Sequence, residues 1–152
     1  MTWVVFLDTG VLGYITHPKG NAESTRCTQW LLDLLDQGVR VCIPEVCDYE
    51  LRRGYIHREK HRALAKLDDL RSTLEYVPID SDMMAKAAKL WAEARQRGTP
   101  TADEKELDID VILAAQAHLT TSNDDTLTIA TTNVGHLSQF SDARRFQDIP
   151  PR

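Results

Sequence analysis

The sequence predicts an α/β domain: a mostly parallel central sheet sandwiched as the middle of three α/β/α layers. Three observations point there. Short β-rich apolar runs alternate with helical stretches along the whole chain. The first run, Trp3–Leu7, has no polar interruption, as expected of a strand buried on both faces. The helical stretches are punctuated by glycine stops and a proline start. Sheets of this kind take right-handed crossovers and place ligands at the carboxyl ends of their strands.

Trp3–Leu7 is the first strand, and it stops abruptly at Asp8-Thr9-Gly10. Residues 23–36 carry Cys27, Trp30, Leu31, Leu34 and Leu35 at helical spacing and end before Gly38. Residues 39–43 read as a second strand. Pro44 then opens a helix reaching about Gly54, with Val46, Tyr49, Glu50 and Arg53 on one side. Residues 58–70 form a helix with Ala63, Leu64, Leu67 and Leu70 inward and basic residues outward. Residues 74–79 are a third strand, and Asp80 or Ser81 caps a helix over 82–97 that Gly98 stops. A polar, acidic loop is expected over 99–107. Helix resumes at about Asp108 in IDVILAAQAHL, residues 127–131 are the last strand, and 138–146 form a short helix or turn.

The chain of 152 residues is long enough for one domain to bury its own core, and no repeat or interdomain linker is visible. A hydrophobic content of 42%, without biased tracts, excludes the disordered and fibrous classes. No apolar run reaches membrane-spanning length and the start lacks a secretory pattern, so a cytoplasmic location without membrane attachment is expected. Three cysteines with no C-x-x-C pair argue for buried reduced thiols rather than disulfides or a zinc ribbon. The net charge of −5 disfavours indiscriminate polyanion binding, but it hides a basic segment over 52–71, which carries +4 against −9 elsewhere.

An acid closing a buried strand is costly unless it has a partner. Asp8 and the Thr131-Thr132-Asn133 stretch both follow predicted strands, so the sheet brings them to the same edge. Asp110 is expected in a first helical turn, where the macrodipole favours a carboxylate, and Glu50 on an inward-facing helix side. Each acid also has a structural explanation, as a cap, a dipole partner or an ion pair with Arg52 or Arg53. Together they suggest a different role. Carboxylates converging from several elements repel one another unless a divalent cation lies between them, and oxygen ligands suit Mg²⁺ or Mn²⁺. Such a site can activate water against a phosphodiester. Asp108 can add a ligand or orient a water. Thr9 can hydrogen-bond Asp8 or a metal-bound water and Thr132 can do likewise near Asn133, and both read equally well as strand-end caps.

These residues resemble the PIN domain, as found in the VapC-like ribonuclease toxins of toxin–antitoxin pairs. FLDTGVL matches its strand-terminal Asp, IPEVCDYELRRG its helical Glu, DVILAAQA its Asp at the head of an Ala-rich helix, and IATTNVGHLSQF its final T-x-N segment. The resemblance runs from Val4 to about Phe140 in the family's order and spacing. It implies a single domain over 1–152 with its core at about 3–140, and a Mg²⁺- or Mn²⁺-dependent endoribonuclease. Asp8, Glu50 and Asp110 are the implied metal-binding core.

Many relatives carry an acid near the final strand, where this chain has Asn133 and His136. Asn133 can ligate or contact phosphate, and His136 can bind substrate or be structural. The basic residues Arg52, Arg53, Arg58, Lys60 and Arg62 follow Glu50 and are expected to hold the RNA backbone. An antitoxin protein and a second copy of the chain are the other expected partners. The alternative is a PIN-like module that binds RNA or protein without cutting.

Overall fold

A computed structural model describes residues 2–98 and 104–151, with backbone alone for 104–106. Five parallel strands form one sheet in the order β3-β2-β1-β4-β5. They are β1 (Trp3–Leu7), β2 (Arg40–Pro44), β3 (Glu75–Val77), β4 (Thr126–Ala130) and β5 (Ala143–Arg144). The helices are α1 (Thr9–Thr16), α2 (Ala22–Asp36), α3 (Glu45–His57), α4 (His61–Thr73), α5 (Ser81–Gln96), α6 (Glu104–Thr120) and α7 (Val134–Leu137).

The chain steps from β1 to β2 to β3 in one direction, then returns across the sheet to β4 and β5. Right-handed crossovers therefore place α1 to α4 on one face and α5 to α7 on the other. The packing agrees: α1 lies against α2, α3 and α4, while α6 lies against α5 and α7. Strand order reverses between β1 and β4, and that reversal opens a crevice at their carboxyl ends.

Val4, Val5, Phe6 and Leu7 are wholly buried, as the uninterrupted apolar run requires of the middle strand. Gly38 and Gly98 follow α2 and α5 with φ of 74° and 62°, the left-handed stop conformation expected there. Asp80 caps α5 by accepting from Met83 N at 2.8 Å. Pro44 offers α3 no side-chain cap. That role comes from α6, where the fully buried Gln116 accepts from Val46 N at 3.2 Å and donates to Val77 O at 2.7 Å. Gln116 thus fixes the start of the helix that carries Glu50.

Four expectations need correction, and one helix was not expected at all. TGVLGYIT forms helix α1 although its two glycines and two threonines are poor helix formers; Asp8 caps it, and Val11, Leu12 and Thr16 are buried. The loop expected over 99–107 lies outside the described residues up to 103, and the chain is helical from Glu104. Asp110 is therefore in the second turn of α6, not the first, and the macrodipole does not hold it. On α3 the inward side is Val46, Cys47, Leu51 and Tyr55, while Tyr49 is 54% exposed. Where a single helix or turn is expected over 138–146, α7 has already ended at Leu137, and the two-residue β5 and a 3-10 turn at Phe146–Asp148 follow. Trp30 Nε1 donates to Ile149 O at 2.8 Å and anchors that tail. Among the described residues, no helix is long and apolar enough to cross a membrane.

Candidate functional site

The crevice between β1 and β4 is a cleft of about 240 Å³. Asp8, Thr9 and Gly10 line it from the end of β1, Glu50 from α3, and Ile109 and Asp110 from α6. Thr132, Asn133 and His136 complete it after β4. Four elements distant in sequence thus deliver polar groups to one hollow.

Asp8 is the best-held of these groups, with only 9% of its surface exposed. Its Oδ2 accepts from Thr131 Oγ1 at 2.6 Å, and its Oδ1 accepts from Thr9 N at 2.7 Å and from Cys47 Sγ at 3.7 Å. Its backbone N–H donates to Ala130 O at 2.9 Å, which extends the β1–β4 ladder to the site. Burial pushes the Asp8 carboxyl above the ordinary carboxylate range; the hydrogen bonds from Thr131 and Thr9 pull it back, and the nearby Glu50 charge raises it further. Glu50 is partly exposed, with Arg53 Nη2 at 3.9 Å. That distance is too long for a strong pair, so Glu50 stays available to the cleft.

Gly10 allows the two walls to meet. A Cβ there would overlap Thr132 Oγ1 and come within 2.8 Å of its Cγ2. Asn133 and His136 are joined by a 2.8 Å hydrogen bond between Asn133 Nδ2 and His136 Nδ1. Thr9 Oγ1 is buried and has no hydrogen-bond partner among the described residues.

The candidates named from sequence separate here. Asp8, Glu50, Asp110, Asn133, Thr9, Thr132 and His136 all line the cleft. Asp108 does not; it borders an apolar groove with Met84, Trp91 and Ile112, because two residues along a helix turn a side chain about 200° away. None of the five basic residues lines the cleft. Arg52 is committed to an ion-pair network, with Asp48 through Nε and Nη2 at 3.1 Å each and with Asp68 through Nη1 at 2.7 Å. Arg53 lies over the Tyr49 ring at 4.9 Å. Arg58, Lys60 and Arg62 are exposed around the α3–α4 turn.

Sequence reasoning placed Thr131 at the right edge but gave the supporting role to Thr132, and it read Cys47 only as a buried thiol. The signal for both was spacing: Cys47 lies one helical turn before Glu50, and Thr131 directly follows β4. All three cysteines are free and buried.

The donor set is carboxylate, amide and hydroxyl oxygen, which suits a hard divalent cation. Among the described residues no three His, Cys, Asp or Glu side chains are already drawn into a cage. The mutual repulsion of Asp8 and Glu50 is the feature that fits a cation between them.

The fold and the crevice define a class: parallel α/β domains with an acidic cleft where the strand order reverses. Within that class the chain belongs to the PIN domain family, whose sequence model matches residues 5–132. Its fold is shared with a chain of VapBC2 from Rickettsia felis, bound to a DNA fragment from their promoter. The two are 19% identical with a TM-score of 0.70, covering 93% of this chain and 98% of that one. It is also shared with a chain of DNA-bound VapBC from Salmonella typhimurium, at 20% identity and a TM-score of 0.69, covering 96% and 99%. FitAcB from Neisseria gonorrhoeae is similar at 22% identity and a TM-score of 0.63, covering 95% and 99%. A comparison with curated proteins found no match.

Proposed function

We propose that this PIN domain is a Mg²⁺- or Mn²⁺-dependent endoribonuclease and the toxin of a toxin–antitoxin pair. The observation that carries the reading is Asp8: a buried, hydrogen-bonded carboxylate facing Glu50 across a cleft that Asp110 and Asn133 also line. PIN domains are generally nucleases, and the solved structures with this fold include VapBC assemblies, which supports an antitoxin as protein partner.

Asp8, Glu50 and Asp110 would hold the cation. When bound, it supplies a nucleophile from water at neutral pH and offsets charge on the reacting phosphate. Thr131 and Thr9 N–H fix the Asp8 carboxylate before substrate arrives, so little reorganisation is needed. Asn133, steadied by His136, would contact the phosphate from the wall of the cleft.

The test is cleavage of single-stranded RNA by the purified chain with Mn²⁺, with EDTA, and with Asp8→Asn. The expected result is metal-dependent cutting that Asp8→Asn lowers by at least about 100-fold, as for loss of a group acting directly on the reaction. If the parent is inert across a broad RNA panel, or Asp8→Asn cuts equally well, the reading fails. Manganese titration calorimetry separates a non-cutting module, which has no need of a metal site that Asp110→Ala abolishes.

A further inference from the structure

The acidic cleft does not end at Thr132. On the other side of that residue a second pocket, also about 240 Å³, is lined by Tyr14, Thr131, Thr132, Arg145, Phe146 and Gln147. Thr132 borders both hollows, so they form one run along the carboxyl edge of the sheet, from β1 past β4 to the end of β5.

Their chemistry is complementary. The first hollow gathers carboxylates and repels a polyanion except where a cation screens it. The second offers a guanidinium, threonine hydroxyls and the half-buried Tyr14 ring, which packs edge-on against Phe146 at 6.1 Å between centroids. Arg145 is exposed, and its side chain forms no hydrogen bond or ion pair among the described residues. Its neighbour Arg144 is held by Asp142 at 3.0 and 3.2 Å, and Arg52 by Asp48 and Asp68. Among the cations near the cleft, Arg145 is therefore one that keeps its charge for a ligand.

We propose that this second pocket is the subsite for the nucleotide adjoining the cleaved phosphate of a single-stranded RNA. Arg145 binds its phosphate, and Tyr14 gives ring surface to its base. The proposal rests on the nuclease reading above. It assigns the substrate path to the β4–β5 side of the cleft, whereas the charge pattern of the sequence drew attention to α3 and α4. Aromatic surface beside a guanidinium suits a single strand with splayed bases, since every base has a face to stack and every link a phosphate.

The experiment is steady-state cleavage of a fluorescent single-stranded RNA with Mn²⁺ by the parent, Arg145→Gln and Arg144→Gln, at several salt concentrations. All three chains are checked first for equal melting temperature, since both arginines are exposed. Arg145→Gln is expected to raise KM about tenfold, the size of one charge-assisted contact, with kcat little changed. It should also reduce the salt slope of log KM by about 0.7, one phosphate contact on a single strand. Arg144→Gln should match the parent. If the parent cuts and Arg145→Gln keeps its KM and salt slope, the subsite is overturned and the nuclease reading stands. An equal loss in Arg144→Gln also overturns it, because the effect is then one of general charge. If the parent cuts no RNA at all, the nuclease reading fails and the subsite fails with it.

Discussion

Thr131 donates to Asp8 through a 2.6 Å hydrogen bond, joining two positions 123 residues apart in sequence at the switch point of the sheet. The same hydroxyl oxygen accepts from Asn133 N at 2.9 Å, so one threonine orients an acid on β1 and the turn that carries the amide after β4.

Thr131→Val keeps the shape and removes both bonds. Cleavage and Mn²⁺ affinity are expected to fall about 10- to 100-fold, the usual effect of losing a partner behind a ligand. The fold should lose about 1–3 kcal/mol for the unsatisfied groups left behind. Thr131→Ser should restore most of the activity. Single-turnover cleavage and urea unfolding measure the two effects, and unchanged cleavage in the valine variant would show that the bond does not set the Asp8 geometry.

Burial raises the Asp8 carboxyl, so in the pH range between its unfolded and folded pKa the native state holds a proton that the unfolded chain has released. Stability from this group is therefore intact below the ordinary carboxylate value of 3.8 and lost as pH rises through the raised folded value. Above the ordinary carboxylate value the metal-free protein therefore carries a penalty that grows with pH. Asp8→Asn should melt above the parent in EDTA at neutral pH, with the gap closing as pH falls toward the ordinary value. Calorimetry at the two pH values checks this, and a lower melting temperature for Asp8→Asn at neutral pH would contradict it.

Arg52 balances Asp48, whose side chain is only 5% exposed, and also reaches Asp68, which is 58% exposed. Arg52→Ala strands a buried carboxylate and should cost about 3 kcal/mol. Asp68→Ala removes only an exposed partner and should cost less than about 1 kcal/mol. Equal losses in urea unfolding would mean that the burial of Asp48 is not what Arg52 serves.

The legible parts of the fold were those with local causes. An apolar run buried on both faces announced β1, and glycines with positive φ announced the ends of α2 and α5. Helix α1 was not legible, because TGVLGYIT has weak propensity and is held by the Asp8 cap and by burial against its neighbours. The two-residue β5 was equally hidden, since it exists only through pairing with β4.

For the site, the sequence determined the groups: Asp8 at the end of a buried strand, Glu50 after the second strand, Asp110 on an Ala-rich helix, and a T-x-N turn after the last central strand. A strand end or a helix start is a local property, so the residue types and their order could be read in one dimension. The tertiary structure decided which groups meet. It chose Thr131 over Thr132 as the partner of Asp8, turned Asp108 away from Asp110, and engaged Arg52 with Asp48 and Asp68 while leaving Arg145 unpaired among the described residues. Those choices depend on strand register, helical phase and contacts between segments far apart in the chain, and they are fixed only when the sheet closes and its helices pack.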